Sequence, residues 1–503
     1  MGGHSKKLIH LLRADPAPGS ALSSPRSFSS SNDSTVSDDD GYNSSSPSSF
    51  PASAASSPSR CSPPKSPWAA TTHLLPGLGG AGAQDDAAAT GLIASLVKEH
   101  GKIYSLAAAG DVLYTGTDSE NVRVWRGRRE LAGFRAGSGL VKAIVVAADG
   151  RMFTGHQDGK VRVWRADDAA GPAVHRRVGS LPPLGDYLVS SVNPSSYVAL
   201  QSPRGRRRRA VWLRHADAVS CLSLDEPAGL LYSGSWDRTF KVWRVADSRC
   251  LESVPAHDDA VNTVAAAGFG GLVLTGSADG TVKVWRRETV IAGGGGDRTR
   301  HVLERVLREG DGAVTAVAAC PEARAVYVGT SDGLVACWRW GLDGEPRLDG
   351  VLAGHRMAVM CLAVSGRVVA SGSADRTLCV WRRDDDGDGG RCRHARLAVL
   401  AGHTGPVKCV AVAADDDEGC CYDGERRFVV YSGSLDGSVK VWRLSEDRPL
   451  ADEPAAPPMP ALLESEAWTT PRRAVALAPP PPAQAAWAPY QQAPPELKRV
   501  AAA

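Results

Sequence analysis

Net charge is almost absent from this chain of 503 residues: 58 Lys and Arg oppose 55 Asp and Glu, leaving +3 with His neutral. So small an imbalance gives the whole molecule no field for gathering nucleic acid or an anionic membrane. Long apolar runs are missing as well, and none approaches the ~18 residues that cross a bilayer. The first thirteen residues offer only Leu8 to Leu12, broken by His10, so no secretory leader is expected. Met1-Gly2 lacks the Ser or Thr at position 6 that favours myristoylation; Lys6 stands there. The 11 Cys are odd in number, and no Cys pair with metal spacing stands beside a His pair. Cys221, Cys361, Cys379 and Cys409 fall inside strand-like runs and read as small buried hydrophobes. Gly293 to Gly296 is a glycine run with no following Lys-Ser or Lys-Thr, so it is not a phosphate loop. Cys420-Cys421 sits in an acidic stretch and is not read as a ligand site. No acid, base and nucleophile converge. The expectation is a non-enzyme with no cofactor and no metal, in a reducing compartment, cytosol or nucleus.

What is present is one sentence repeated. Ser233-Gly234-Ser235-Trp236-Asp237-Arg238-Thr239-Phe240-Lys241-Val242-Trp243 ends a short strand, turns on an Asp, and closes a second strand on a Trp. Close copies run Thr275 to Trp285, Ser371 to Trp381 and Ser432 to Trp442, with looser ones ending at Trp125, Trp164 and Trp338. A Gly stands nine residues before every closing Trp: Gly116, Gly155, Gly234, Gly276, Gly329, Gly372 and Gly433. An Asp stands six before it in six copies; the first has Ser119 there. Successive Trp residues lie 39, 42 and 43 residues apart where no insertion intervenes, and short alternating strands between Gly, Asp and Ser turns mean an all-β array. About four strands per unit leave a hydrophobic face open, so the units must pack around a ring.

These residues resemble tryptophan-aspartate (WD40) repeats over roughly 91 to 447. The resemblance implies a seven-bladed β-propeller with disordered flanks, 1 to 90 and 448 to 503. It also implies four hydrogen-bonded sets of His, strand-end Ser or Thr, turn Asp and closing Trp. These are His215, Ser233, Asp237 and Trp243; His257, Thr275, Asp279 and Trp285; His355, Ser371, Asp375 and Trp381; and His403, Ser432, Asp436 and Trp442. The units ending at Trp125, Trp164 and Trp338 have Glu99, Gly137 and Gly310 where the His belongs, with His100 one place off, and are expected to be less rigid. All seven closing Trp residues are followed by Arg. The Trp-Asp-x-Arg ending used by receptors of cullin-type ubiquitin ligases is absent, which weakens that alternative. Leu92 to Val97 is expected to supply the outermost strand of the last blade and so close the ring. An eighth blade near Trp212 is rejected, because Ala210 to Leu213 runs straight into Arg214-His215, where an outermost strand belongs.

Outside the repeats, residues 14 to 66 are rich in Ser, Pro and Asp and cannot bury enough surface to fold. Their five Ser-Pro pairs, at Ser24, Ser46, Ser57, Ser62 and Ser66, suit proline-directed kinases. The stretch after 448 is rich in Pro and Ala. Insertions at 166 to 209, 286 to 301, 341 to 349, 383 to 396 and 413 to 427 are expected on the lower face, opposite the His and Asp turns. The five Arg within 204 to 209 suit an import signal at Arg206 to Arg209, while the lack of interleaved aromatics argues against nucleic acid. On the upper face Trp236 and Arg238 have the composition of an interface hot spot. The template sets Arg356, Met357, Arg376, Pro406 and Leu435 near them. The long insertion, the Ser/Pro-rich leader and the run Asp217 to Ser223 look like the plant JINGUBANG-type group. That resemblance implies a regulator docking signalling proteins or transcription factors, in cytoplasm or nucleus; the propeller itself is expected to be a monomeric scaffold.

Overall fold

A computed structural model describes residues 91–97, 101–137, 139–166, 174–193, 196–201, 207–290, 298–384, 393–415 and 426–446. The chain divides into two units, 10–82 and the remainder, and every described residue belongs to the second. The expected disordered flanks, His100 and Cys420-Cys421 lie outside the described residues.

β1 (Leu92–Val97) comes first and waits for the end of the chain. Blade 1 is β2 (Ile103–Ala109), β3 (Val112–Thr117), β4 (Asn121–Arg126) and β5 (Arg129–Arg135). Blade 2 is β6 (Val141–Val146), β7 (Arg151–His156), β8 (Val161–Ala166) and β9 (His175–Leu181). An insertion follows: helix α1 (Leu184–Val192), then the hairpin of β10 (Tyr197–Gln201) and β11 (Arg207–Val211). Blade 3 is β12 (Val219–Asp225), β13 (Leu230–Ser235), β14 (Thr239–Arg244) and β15 (Arg249–Pro255). Blade 4 is β16 (Val261–Ala266), β17 (Leu272–Ser277), β18 (Val282–Val290) and β19 (Arg298–Arg308). Blade 5 is β20 (Val314–Cys320), β21 (Ala325–Thr330), β22 (Leu334–Trp340) and β23 (Pro346–Ala353). Blade 6 is β24 (Val359–Ser365), β25 (Val368–Ser373), β26 (Thr377–Asp384) and β27 (Arg393–Ala401). Blade 7 is β28 (Val407–Ala414), β29 (Arg427–Ser434) and β30 (Ser438–Ser445), and β1 pairs antiparallel with β30 as its fourth strand. The molecule is thus a seven-bladed β-propeller.

The core lies between blades. Second strands such as β13, β17, β21 and β25 are buried along their whole length, which is why they read as unbroken runs of apolar and small residues. Seven apolar clusters form, each pooling side chains from two neighbouring blades. The repeat glycine explains how the blades approach. A methyl on Gly234 would lie 2.9 Å from Val261 and 2.5 Å from the Cys221 sulfur, and one on Gly329 would lie 2.7 Å from Val359. At the closure, Gly433 would meet Ile103 at 2.6 Å. The glycine is therefore where the next blade's first strand rests on bare backbone. Ser220 Oγ donates to the Val261 carbonyl (2.5 Å) and Asn262 Nδ2 to the Val314 carbonyl (2.9 Å), tying the channel-side strands blade to blade.

Two expectations are corrected. The outermost strand of blade 2 is β9, which pairs with β8 from Ala166↔His175 to Val161↔Leu181. Residues 207–211 pair instead with 197–201 in a separate hairpin. The outer strand precedes the insertion rather than following it, so α1 and the hairpin branch from the upper end of blade 2, not the lower. In two of the other insertions the described residues extend hairpins, β18–β19 and β26–β27, past the closing Trp.

Candidate functional site

The upper turns are built by a relay that starts at the closing Trp. Trp243 Nε1 donates to Ser233 Oγ at 2.8 Å. Ser233 Oγ and His215 Nε2 are 2.8 Å apart, and His215 Nδ1 lies 2.9 Å from the Asp237 carboxylate. Asp237 accepts further from the Ala216 N–H and from Thr239, whose hydroxyl is 2.7 Å away. Burial alone would raise the Asp237 carboxyl, but His215 and Thr239 outweigh it and hold it well below the usual carboxylate range. Burial lowers His215, so the ring is neutral and Ser233 donates to it. The same relay joins His257, Thr275, Asp279 and Trp285, with links of 2.8, 3.1 and 2.9 Å, and His403, Ser432, Asp436 and Trp442, with links of 2.8, 3.0 and 2.9 Å.

The set on blade 6 is broken at its inner end. His355 reaches Ser371 (2.9 Å) and Asp375 (3.2 Å), but Ser371 Oγ turns its proton to the Cys379 carbonyl (3.3 Å), and the buried Trp381 Nε1 has no partner. Burial works against an imidazolium there, but Asp375, with the Cys379 sulfur beside it, outweighs burial and lifts His355 to about 9. A protonated His355 donates from both nitrogens, which is why Ser371 is free to donate elsewhere.

The units without the aligned His are repaired in different ways. In blade 2, Trp164 donates to Thr154 Oγ1 (2.9 Å), and His156, two residues along the same strand, meets that hydroxyl at 2.8 Å. Burial, with Arg162 nearby, pushes His156 down to about 3 and keeps it neutral. Arg162 lies over Gly137, in the space left by the missing ring, and binds Asp158 at 2.7 Å. In blade 5, Val328 replaces the hydroxyl residue and Trp338 Nε1 is buried without a partner. Arg308 takes over part of the role by donating to the carbonyls of Gly280 and Gly312.

The seven upper-face candidates do not form one patch. Trp236 and Arg238 belong to blade 3; Arg356, Met357 and Arg376 belong to blade 6; Pro406 and Leu435 belong to blade 7. At least two blades separate the first pair from the rest. Template position sets height on the face but not angle around it. Trp236 is half-buried, with the Lys142 ammonium 4.1 Å from its ring centroid. Burial, with the charge of Lys408, lowers Lys142 to about 7, and Asp217 only partly opposes this. Arg356 and Arg376 are exposed and Met357 is 50% exposed; Pro406 and Leu435 are half-buried and joined by a backbone bond of 3.0 Å. Arg238 and Arg376 adopt φ of 73° and 75°, where four other repeats place Gly159, Gly280, Gly333 and Gly437.

Sequence reasoning missed a second set of contacts. Tyr114 meets His175 (3.3 Å), Tyr232 meets His301 (3.1 Å) and Tyr327 meets His394 (2.9 Å), each pair spanning two blades. The only available signal was a Tyr two residues before the repeat glycine, and nothing local names its partner. The insertion helix α1 exposes Leu184, Leu188, Val189 and Val192, each at 54% or more. Burial lifts the Cys221 and Cys361 thiols to about 12, so they stay protonated. Among the described residues no group of His, Cys, Asp and Glu is placed to hold a metal ion, and no helix is long and apolar enough to cross a membrane.

The family model described as WD domain, G-beta repeat matches residues 129–165, 207–244, 248–286, 347–382 and 395–443. The repeats closing at Trp125 and Trp338, which lack the aligned His, fall outside those matches. Similar curated proteins include Cell division control protein 4 of Candida albicans, 30% identical over 136 residues, covering 24% of this chain and 17% of that protein. Ribosome biogenesis protein ytm1 of Aspergillus oryzae is 29% identical over 137 residues, covering 26% and 24%. Probable cytosolic iron-sulfur protein assembly protein 1 of Sclerotinia sclerotiorum is 34% identical over 110 residues, covering 20% and 22%. The chain spans less than a quarter of the length of each of these relatives. Seven four-stranded blades, the His–Ser/Thr–Asp relays and the five matched repeats make the chain a β-propeller that carries WD40 repeats.

Proposed function

We propose that the chain is a non-catalytic platform that holds other proteins against its upper turns. The observation that carries this reading is the pair of left-handed arginines. Arg238 and Arg376 stand where glycine serves four other repeats, and a side chain in that conformation costs of order 1 kcal/mol or more. Glu120, at φ 66° in the remaining repeat, bears the same cost and uses its carboxylate inside the fold, on Arg135 and the Gly139 N–H. The two arginines make no such side-chain bond among the described residues, which is accounted for if their guanidinium groups do work outside the fold. The exposed Arg356 and Met357 beside Arg376, and the Lys142–Trp236 contact on blade 3, supply further contact surface. The basic side chains favour an acidic partner surface.

Membership of the plant JINGUBANG-type group, docking of signalling proteins or transcription factors, and residence in cytoplasm or nucleus extend this proposal. The sequence run Asp217 to Ser223 and the leader support them. The test is quantitative affinity purification with wild type and an Arg238→Gly, Arg376→Gly double variant. Glycine relieves the backbone, so the variant should melt at the same temperature or higher, yet recover its partners severalfold less. Equal recovery of every partner would remove the upper arginines from the site. Recovery of cullin adaptors by the wild type would favour the ligase-receptor alternative.

A further inference from the structure

The seams between blades alternate in character. Two residues before the repeat glycine, blades 1, 3, 5 and 7 carry Tyr114, Tyr232, Tyr327 and Tyr431, while blades 2, 4 and 6 carry Phe153, Leu274 and Ala370. The apolar three face Val245, Trp340 and Leu444, which stand two places after the closing Trp of the following blade and share their clusters. Three of the four tyrosines face a histidine instead. The rings meet edge to face, with centroids 5.4, 5.4 and 5.6 Å apart and interplanar angles of 85, 84 and 88°. Each histidine lies on an outer strand whose hairpin runs past the closing Trp: β8–β9, β18–β19 and β26–β27.

Seven is odd, so the alternation must fail once. Tyr431 of blade 7 faces blade 1, a blade of the same kind as its own. There the β4–β5 hairpin turns at once through Gly127 and Arg128, at φ 53° and 69°, and never reaches the level at which a histidine would sit. Gly127 also occupies the place that Arg287 and Arg383 hold in blades 4 and 6. The result is a cavity of about 370 Å³ lined by Tyr431, Trp125, Leu113, Asp111, Asp415 and Arg443, within the size range of ligand sites. Tyr431 has no hydrogen-bond partner among the described residues. Asp225 of blade 3 binds Arg287 across its seam (2.7 Å), whereas Asp415 takes Arg443 of its own blade (2.7 Å). Burial and the nearby Asp415 raise Tyr431, and the Arg128 and Arg443 guanidiniums oppose this only in part, so the phenol keeps its proton. Cations are already present: Asp111 pairs with Arg126 (2.8 Å) and Arg128 also lines the cavity, so among the described residues what the seam lacks, relative to its three counterparts, is the imidazole.

We propose that the cavity between blades 7 and 1 binds an imidazole ring, set edge-on to Tyr431 and accepting a hydrogen bond from its hydroxyl. The site lies at the end of the blades opposite the upper turns and is independent of the platform reading. Histamine and the capped tripeptide Ala-His-Ala are the probes, titrated into the full chain and followed by saturation-transfer NMR, with 1-butylamine as a cation that has no ring. Histamine should bind saturably and at least about fivefold tighter than butylamine. Tyr431→Phe should weaken it about fivefold, as expected for one hydrogen bond. Ala413→Trp, which fills the cavity, should abolish binding, and Tyr232→Phe, at an occupied seam, should leave it unchanged. A tighter tripeptide identifies a partner's side chain as the source; tighter histamine identifies a free amine. No saturable binding to wild type, or binding untouched by both Tyr431→Phe and Ala413→Trp in folded protein, overturns the proposal.

Discussion

Ser233 and Ser371 occupy the same place in the repeat but do different jobs. Ser233 accepts from Trp243 and donates to His215, so Ser233→Ala strands two buried groups and should cost about 2–3 kcal/mol. Ser371 receives nothing from Trp381, and Ser371→Ala should cost nearer 1 kcal/mol. Denaturant melts of the two variants side by side check this, and equal losses would contradict it. Gly234→Ala should destabilise by about 1–3 kcal/mol, because Val261 and Cys221 occupy the space a methyl needs. The His355 set carries a pH signature. Its folded value, about 9, lies above the ordinary 6.5. The imidazolium form therefore contributes fully below about pH 6.5, and the contribution is lost as pH rises towards 9. The stability gap between wild type and His355→Gln should be widest near about pH 6 and largely closed by pH 9. A gap that widens with pH would show that the ring is neutral.

At the scale of strands and blades, the residues of the relays were legible in the chain because they repeat at fixed offsets, and the closing strand because the resemblance to WD40 repeats implies it. Gly234, Asp237 and Trp243 announce a turn wherever they recur. The Tyr–His pairs were not legible: Tyr232 and His301 are 69 residues apart in different repeats, and periodicity says nothing about which neighbour a side chain meets. The order of insertion and outer strand in blade 2 was misread for a related reason. Every uninterrupted repeat places its outer strand just before the His, and the segment before His215 looked the same. The upper-face candidates were each read at the right height and given the wrong company. Blade 5 has neither the aligned His nor a hydroxyl beneath Trp338, so its upper turn should open more easily. Amide exchange at Ser331 to Gly333 should run faster than at Trp236 to Arg238 of blade 3, and equal protection would contradict this.

For the whole molecule, one pairing decides whether there is a ring at all. Leu92↔Trp442 through Val97↔Ser438 joins the two ends of the domain, and the Arg443 N–H reaches the Gly91 carbonyl at 2.8 Å. Truncation at Gly91 should leave the melting temperature unchanged, whereas truncation at Gly101 exposes the edge of β30 and should yield aggregates by size-exclusion chromatography. Soluble, monomeric protein lacking 91–97 would show that the seal is dispensable.

That pairing also sets the timetable of synthesis. Ser95 and Lys440 touch across 345 residues of chain, so β1 leaves the ribosome long before its partner exists. Six blades can assemble in order as they emerge, but the newborn chain must keep its first strand unspent until the last one arrives. Any chaperone that shields nascent sheet edges has its longest engagement with those six residues.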